Sequence, residues 1–252
     1  MPVTPGAEPY RHDGGPVGVL LCHGFTGSPF ALRPWAEHFA DAGYTVYVPR
    51  LPGHGTSWRE ANLTRWEDWY AEIDRAFREL RGNCDQVAVC GLSMGGALAL
   101  LLAERYGADI TALVLVNPSV LGLDRRVRLL PVLRYTVPSL ASIANDIKKD
   151  GVTEGAYDRT PVKALYSVTK LWAAVRRNLS RVDQPLLIFR SSEDHVVEAE
   201  NVELIRASVS SAEVEVRQLD NSYHVAVLDH DAPQIFAESA EFLARHTHGA
   251  RH

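Results

Sequence analysis

The pentapeptide Gly91-Leu92-Ser93-Met94-Gly95, with Gly96 behind it, sets one serine among glycines. The run Gln-Val-Ala-Val-Cys before it reads as a strand, and Ala-Leu-Ala-Leu-Leu-Leu-Ala after it reads as a helix. A serine held in a tight strand-to-helix turn needs neighbours without Cβ atoms at the close-packed positions. Such a turn lifts the hydroxyl clear at the top of a sheet, where it can attack a carbonyl carbon. A phosphate-binding turn is the competing reading, but neither G-x-G-x-x-G nor a G-K-[ST] ending is present.

A serine hydroxyl is a poor nucleophile at neutral pH. It needs a base, and the base needs an orienting carboxylate. In this setting the chain order is serine, acid, histidine. Asp194, in Ser191-Ser192-Glu193-Asp194-His195, follows the apolar run Pro-Leu-Leu-Ile-Phe-Arg. His224, in Asn221-Ser222-Tyr223-His224, follows the alternating run Val-Glu-Val-Arg-Gln-Leu. Ser93, Asp194 and His224 are therefore the catalytic candidates, with Glu193 and His230 as second choices.

The other histidines among the ten fit less well. His12, His246, His248 and His252 lie in the tails and are expected to be solvated. His38 is mid-helix and superficial. His54, in Pro52-Gly53-His54-Gly55, lines the site without doing chemistry. The side chain of His195 diverges from the target of its neighbour Asp194. Developing negative charge on the substrate oxygen calls for two backbone N–H donors. One is the N–H of Met94, directly after the serine. The other belongs to the loop His23-Gly24-Phe25-Thr26-Gly27 and points to Phe25.

These residues need a frame. Strands are expected at 17–22, 44–48, 86–90, 110–116, 185–189 and 212–219. Helices are expected at 30–42, 64–80, 93–106, 198–208 and 232–245. Thr64 and Glu67 stand at capping-box spacing at the start of the second helix. Strands that are apolar on both faces and alternate with helices imply an α/β fold, a mostly parallel sheet with helices on both sides. Residues 119–181 contain no convincing strand and read as a small helical cap insertion. Its last helix, around 161–179, doubles as the crossover. The core then comprises 1–118 and 182–252.

The chain has 252 residues, a net charge of −5 and 46% hydrophobic residues. That is an ordinary globular composition, and it argues against nucleic acid as a partner. The three cysteines are too few and too scattered for a disulfide framework or a zinc site, so no metal is expected. Residues 1–7 show neither a basic nor an apolar leader pattern, and no apolar run is long enough for a transmembrane segment. A cytoplasmic protein is the expectation. Nothing in the sequence reads out an oligomeric state.

Five segments together resemble the α/β-hydrolases, and within them the bacterial monoacylglycerol lipases and thermostable carboxylesterases. They are His-Gly-Phe-Thr-Gly-Ser-Pro at 23–29, Arg-Leu-Pro-Gly-His-Gly at 50–55, Gly-Leu-Ser-Met-Gly-Gly at 91–96, Ser-Ser-Glu-Asp-His-Val-Val at 191–197 and Asn-Ser-Tyr-His-Val-Ala at 221–226. The resemblance runs from about residue 17 to the end. It implies Ser93 as nucleophile, His224 as base and then acid, Asp194 as orienter, Phe25 and Met94 as oxyanion hole, and no cofactor. It also implies an acidic cap residue that meets the glycerol end of a substrate. Glu154, in Glu-Gly-Ala-Tyr-Asp-Arg-Thr-Pro, resembles that residue, and a solvated loop carboxylate is an equal reading. The fold often begins with an antiparallel hairpin, which is expected to be shortened or absent here.

The leading reading is a serine ester hydrolase on a small-molecule ester, cleaving monoacylglycerols of medium or long acyl chain. Leu121, Leu129, Leu130, Val132, Leu133, Tyr135 and Leu140 suit an apolar acyl chain, or simply pack within the cap. A broad carboxylesterase, another acyl substrate such as a thioester or lactone, and a binding module on the same fold are the alternatives.

Overall fold

In the computed structural model, strand β2 (Val17–Cys22) runs through the interior with every residue buried. The structure describes residues 1–142 and 144–247, without the side chains of Arg125 and Arg126. Before β2 lies β1 (Tyr10–His12). After it come α1 (Pro29–Asp41), β3 (Thr45–Val48), α2 (Trp58–Ala61), α3 (Trp66–Asn83), β4 (Gln86–Leu92), α4 (Met94–Tyr106) and β5 (Leu113–Val116). The inserted stretch holds α5 (Leu130–Leu133), β6 (Ser139–Ala141), β7 (Arg159–Pro161) and α6 (Val162–Arg176). Then follow β8 (Leu186–Ser191), α7 (Glu200–Ser208), β9 (Val214–Leu219) and α8 (Ala232–His246).

Seven strands form one sheet in the order β1-β3-β2-β4-β5-β8-β9. All neighbours are parallel except β1, which pairs antiparallel to β3 with Tyr10 opposite Val48. The expected N-terminal hairpin is thus reduced to one three-residue edge strand. Side chains alternate between two cores. Leu20, Val89, Leu115 and Ile188 face the side covered by α3, α4 and α6. Val19, Leu21, Cys90, Val114 and Phe189 face the side covered by α1 and α8. Burial on both faces is why these strands read as continuous apolar runs.

Two sequence expectations are corrected. The inserted stretch does contain strands: β6 and β7 pair antiparallel, with Leu140 opposite Thr160. They are three residues each and carry proline or serine, so they give no period-2 signal. The cap of α3 also sits one residue later than the Thr64–Glu67 spacing suggests. The Arg65 N–H donates to Asp68 at 2.9 Å, while Thr64 Oγ1 accepts the Trp69 indole N–H at 3.0 Å.

Cys22, Cys84 and Cys90 are all buried free thiols, and burial pushes each thiol pKa up. Among the described residues no helix is long and apolar enough to cross a membrane.

Candidate active site

The turn between β4 and α4 is made by backbone contacts that only glycine permits. A Cβ on Gly91 would lie 2.5 Å from the Gly95 carbonyl oxygen. Ser93, held between them, adopts φ 55° and ψ −118°, a strained conformation for a residue with a side chain. Its amide donates to Val116 O at 3.0 Å, which ties the turn to the end of β5. Met94 begins α4, so its N–H belongs to the first turn, where no intrahelical acceptor exists. The positive end of the helix dipole points to the same place.

The facing loop follows β2. His23 is fully buried. Its Nε2 accepts the Leu51 N–H at 3.2 Å, so the proton sits on Nδ1, which donates to the Gly24 carbonyl at 2.9 Å. That carbonyl and the Phe25 N–H share one peptide plane, so fixing the one fixes the other. His54 stacks edge-on against His23 and Trp69, each at 5.3 Å between ring centres. Burial lowers the His23 pKa to about 3, with the neighbouring His54 adding to it, and lowers that of His54 to about 4. Both rings are therefore neutral supports of the loop, and His54 lies behind it rather than lining the cleft.

Asp194 and His224 come together from the loops after β8 and β9. His224 Nδ1 lies 2.8 Å from Asp194 Oδ2. Asp194 Oδ1 accepts the N–H groups of Val196 and Val197, each at 2.8 Å. Burial alone would raise the Asp194 pKa, but the His224 charge and these three hydrogen bonds hold it below the ordinary value. Burial alone would lower the His224 pKa. Asp194, Glu154 and Asp146 outweigh it, so His224 sits above its ordinary value.

A cleft of about 40 Å³ is lined by Phe25, Ser93, His224 and Glu154, together with Gly24, Thr26 and Ala144, while Met94 and Asp194 are not among its lining residues. Glu154 is 8% exposed, so it is a buried carboxylate and not a solvated one. Its Oε1 accepts the Asn145 N–H at 2.6 Å, and burial raises its pKa. The second choices lie elsewhere: His230 is exposed, and the Glu193 side chain is 56% exposed beside His195. Four of the apolar insertion residues, Leu129, Val132, Tyr135 and Leu140, are exposed and do not line the cleft. His246 is not simply solvated, since it packs on Phe242 and lies 3.2 Å from Glu213. His248 and His252 lie outside the described residues.

Two residues that sequence reasoning passed over help to build the site. Asn117, at φ 45°, accepts the Ser191 N–H at 2.8 Å and donates to the His224 carbonyl at 2.8 Å. It joins the ends of β5 and β8 to the histidine loop. An asparagine straight after a buried strand was the available signal. Asp146 reaches in from the insertion: its Oδ2 accepts the His224 N–H at 3.1 Å and the His195 N–H at 3.2 Å. Nothing in its sequence neighbourhood marked it.

A hydroxyl in a strained turn and a buried imidazole–carboxylate pair are groups that acyl transfer can use. Comparison with known proteins agrees in kind. Residues 17–231 match the family described as serine aminopeptidase, S33. The chain is 45% identical over 250 residues to the thermostable monoacylglycerol lipase of Bacillus sp. (strain H-257), covering 97% of each. It is 28% identical over 251 residues to the carboxylesterase of Bacillus subtilis (strain 168), covering 96% of this chain and 98% of the relative. Among solved structures, one from work on the metagenome-derived lipolytic enzymes LipS and LipT superposes with a TM-score of 0.95 at 42% identity, covering 97% of this chain and all of that one. On this evidence the chain belongs to the serine aminopeptidase S33 family and has the α/β-hydrolase fold.

Proposed function

We propose that this protein is a serine ester hydrolase that cleaves monoacylglycerols to fatty acid and glycerol. The observation that carries the reading is the cleft itself. Ser93, His224 and the buried carboxylate Glu154 line one small space, with Asp194 2.8 Å behind His224. In this mechanism Ser93 Oγ attacks the ester carbonyl carbon as His224 Nε2 takes its proton. The oxyanion is held by the N–H groups of Phe25 and Met94. Collapse expels the glycerol oxygen, which recovers the proton from His224 and leaves an acyl-Ser93. Water, deprotonated by His224, then attacks the acyl carbon, and the fatty acid leaves as Ser93 regains its proton.

Glu154 is the proposed contact for the glycerol hydroxyls. A buried carboxylate accepts hydrogen bonds from vicinal hydroxyls better than any apolar lining. The family description names an aminopeptidase, while the monoacylglycerol lipase and carboxylesterase relatives favour an oxygen ester as substrate. The insertion between β5 and β8, as far as about residue 160, acts as the cap, a reading supported by Ala144 and Glu154 lining the cleft.

A broad carboxylesterase is the second reading, favoured by the carboxylesterase relative. The kcat/KM for 1-monolauroylglycerol against methyl laurate separates the two at equal acyl length. A strong preference for the glycerol ester supports the first reading. Equal rates support the second, and no hydrolysis of either refutes both.

A further inference from the structure

Asp194 and His224 lie on separate loops, 30 residues apart in the chain. Their 2.8 Å contact survives only if both loop backbones are held in place. The loops meet at a third segment. One oxygen of Asp146, Oδ2, accepts the backbone N–H of His195, directly after Asp194, at 3.2 Å. The same oxygen accepts the backbone N–H of His224 at 3.1 Å. The other oxygen faces His195 Nδ1 at 2.8 Å, and the Asp146 carbonyl accepts the Val225 N–H at 3.0 Å. The Asp146 side chain is 15% exposed, so these are shielded, charge-assisted bonds.

We propose that Asp146 is a positioning residue: from the segment between β6 and β7 it clamps the two loops that carry the acid and the base, and so sets their spacing. The inference rests on the reading of Asp194 and His224 as orienter and base. It links the insertion to the chemistry itself, because the segment that lines the cleft through Ala144 and Glu154 also fixes the registry of Asp194 and His224. The charged groups around His224 are Asp194, Asp146 and Glu154. Those around Asp146 are His195 and His224, with Glu193 3.7 Å from the far side of the His195 ring and Lys148 3.8 Å from Glu193.

The test uses the full chain with Asp146→Ala, Asp146→Asn and His195→Ala. Asp146→Ala is expected to lower kcat by about tenfold with KM within about twofold, as misplacement of reacting groups does. Asp146→Asn keeps the shape and removes the charge. It is expected to move the acidic limb of kcat/KM to lower pH and to shift the His224 ring titration, followed by NMR without substrate, the same way. His195→Ala keeps both backbone N–H donors and is expected to lose less kcat than Asp146→Ala. A rise in KM alone overturns the inference, as does a His195→Ala loss equal to that of Asp146→Ala. An identical His224 titration in wild type and Asp146→Ala, which loses both the clamp and the charge, overturns it regardless of activity. A Ser93→Ala protein with full turnover overturns the underlying triad reading instead.

Discussion

Gly95 backs directly onto Cys22: a Cβ at Gly95 would lie 1.9 Å from the Cys22 carbonyl oxygen and 2.8 Å from that of His23. The start of α4 is thus pressed against the end of β2, so the turn that holds Ser93 abuts the start of the loop that carries Phe25. Gly95→Ala is expected to cost at least the roughly 1–3 kcal/mol of an overpacked site and to abolish turnover. Gly82, inside α3 with no atom within 4 Å of a Cβ built there, is the contrast. Gly82→Ala is expected to stabilise by about 0.5–1 kcal/mol, and thermal melts of both variants check the pair.

Ser93→Ala and His224→Ala are each expected to lower kcat/KM by about 10³-fold or more while circular dichroism stays native. A fluorophosphonate probe is expected to label wild type and to leave Ser93→Ala unlabelled. Labelling of Ser93→Ala at the wild-type rate would show that another residue is the nucleophile.

The pH profile has a defined sign. The base works as neutral imidazole, and the carboxylates around His224 hold its pKa above 6.5. Activity is therefore expected to rise through that raised pKa and to level off above it, falling about tenfold per pH unit on the acid side. An acid-side midpoint below 6.5 in kcat/KM contradicts the assignment.

Stability has its own pH dependence. His23 and His54 stay neutral in the fold, with values near 3 and 4, while in the unfolded chain they take up protons below about 6.5. Their contribution is complete above 6.5 and is lost as pH falls towards the folded values. The expected slope is about 1.4 kcal/mol per pH unit per histidine over that window. Urea melts at pH 7, 6 and 5 measure it, and a flat midpoint would mean that neither ring keeps its lowered pKa in the native state.

Glu154→Ala is expected to slow 1-monolauroylglycerol hydrolysis by about tenfold and methyl laurate hydrolysis by less than about twofold. Equal slowing of both esters would remove Glu154 from the glycerol contact and leave it a structural role through Asn145.

The strands and helices of the sheet were legible because burial on both faces imposes continuous apolar runs, and Ser93 because its turn demands glycine at 91 and 95. Asp194 and His224 followed from the serine–acid–histidine chain order and their places after two late strands, which left Glu193 and His230 as second choices. What stayed hidden was held by tertiary contact. The three-residue strands β6 and β7 carry no periodicity, and Asp146 has no local pattern because its partners lie 49 and 78 positions away. The tautomer that gives His23 its task depends on the backbone N–H of Leu51, 28 positions away, a pairing that neither residue's own motif announces.

The three cysteines have a practical consequence. Cys22 and Cys90 are fully shut away from solvent, with burial holding the sulfur in its unreactive thiol form, while Cys84 is 9% exposed. An alkylating reagent can reach Cys22 and Cys90, beside the Gly95 contact and within the sheet, only when that sheet opens. The rate at which Cys22 and Cys90 are modified in native buffer is therefore a clock for spontaneous unfolding, built into the protein and separate from the serine that a fluorophosphonate would consume.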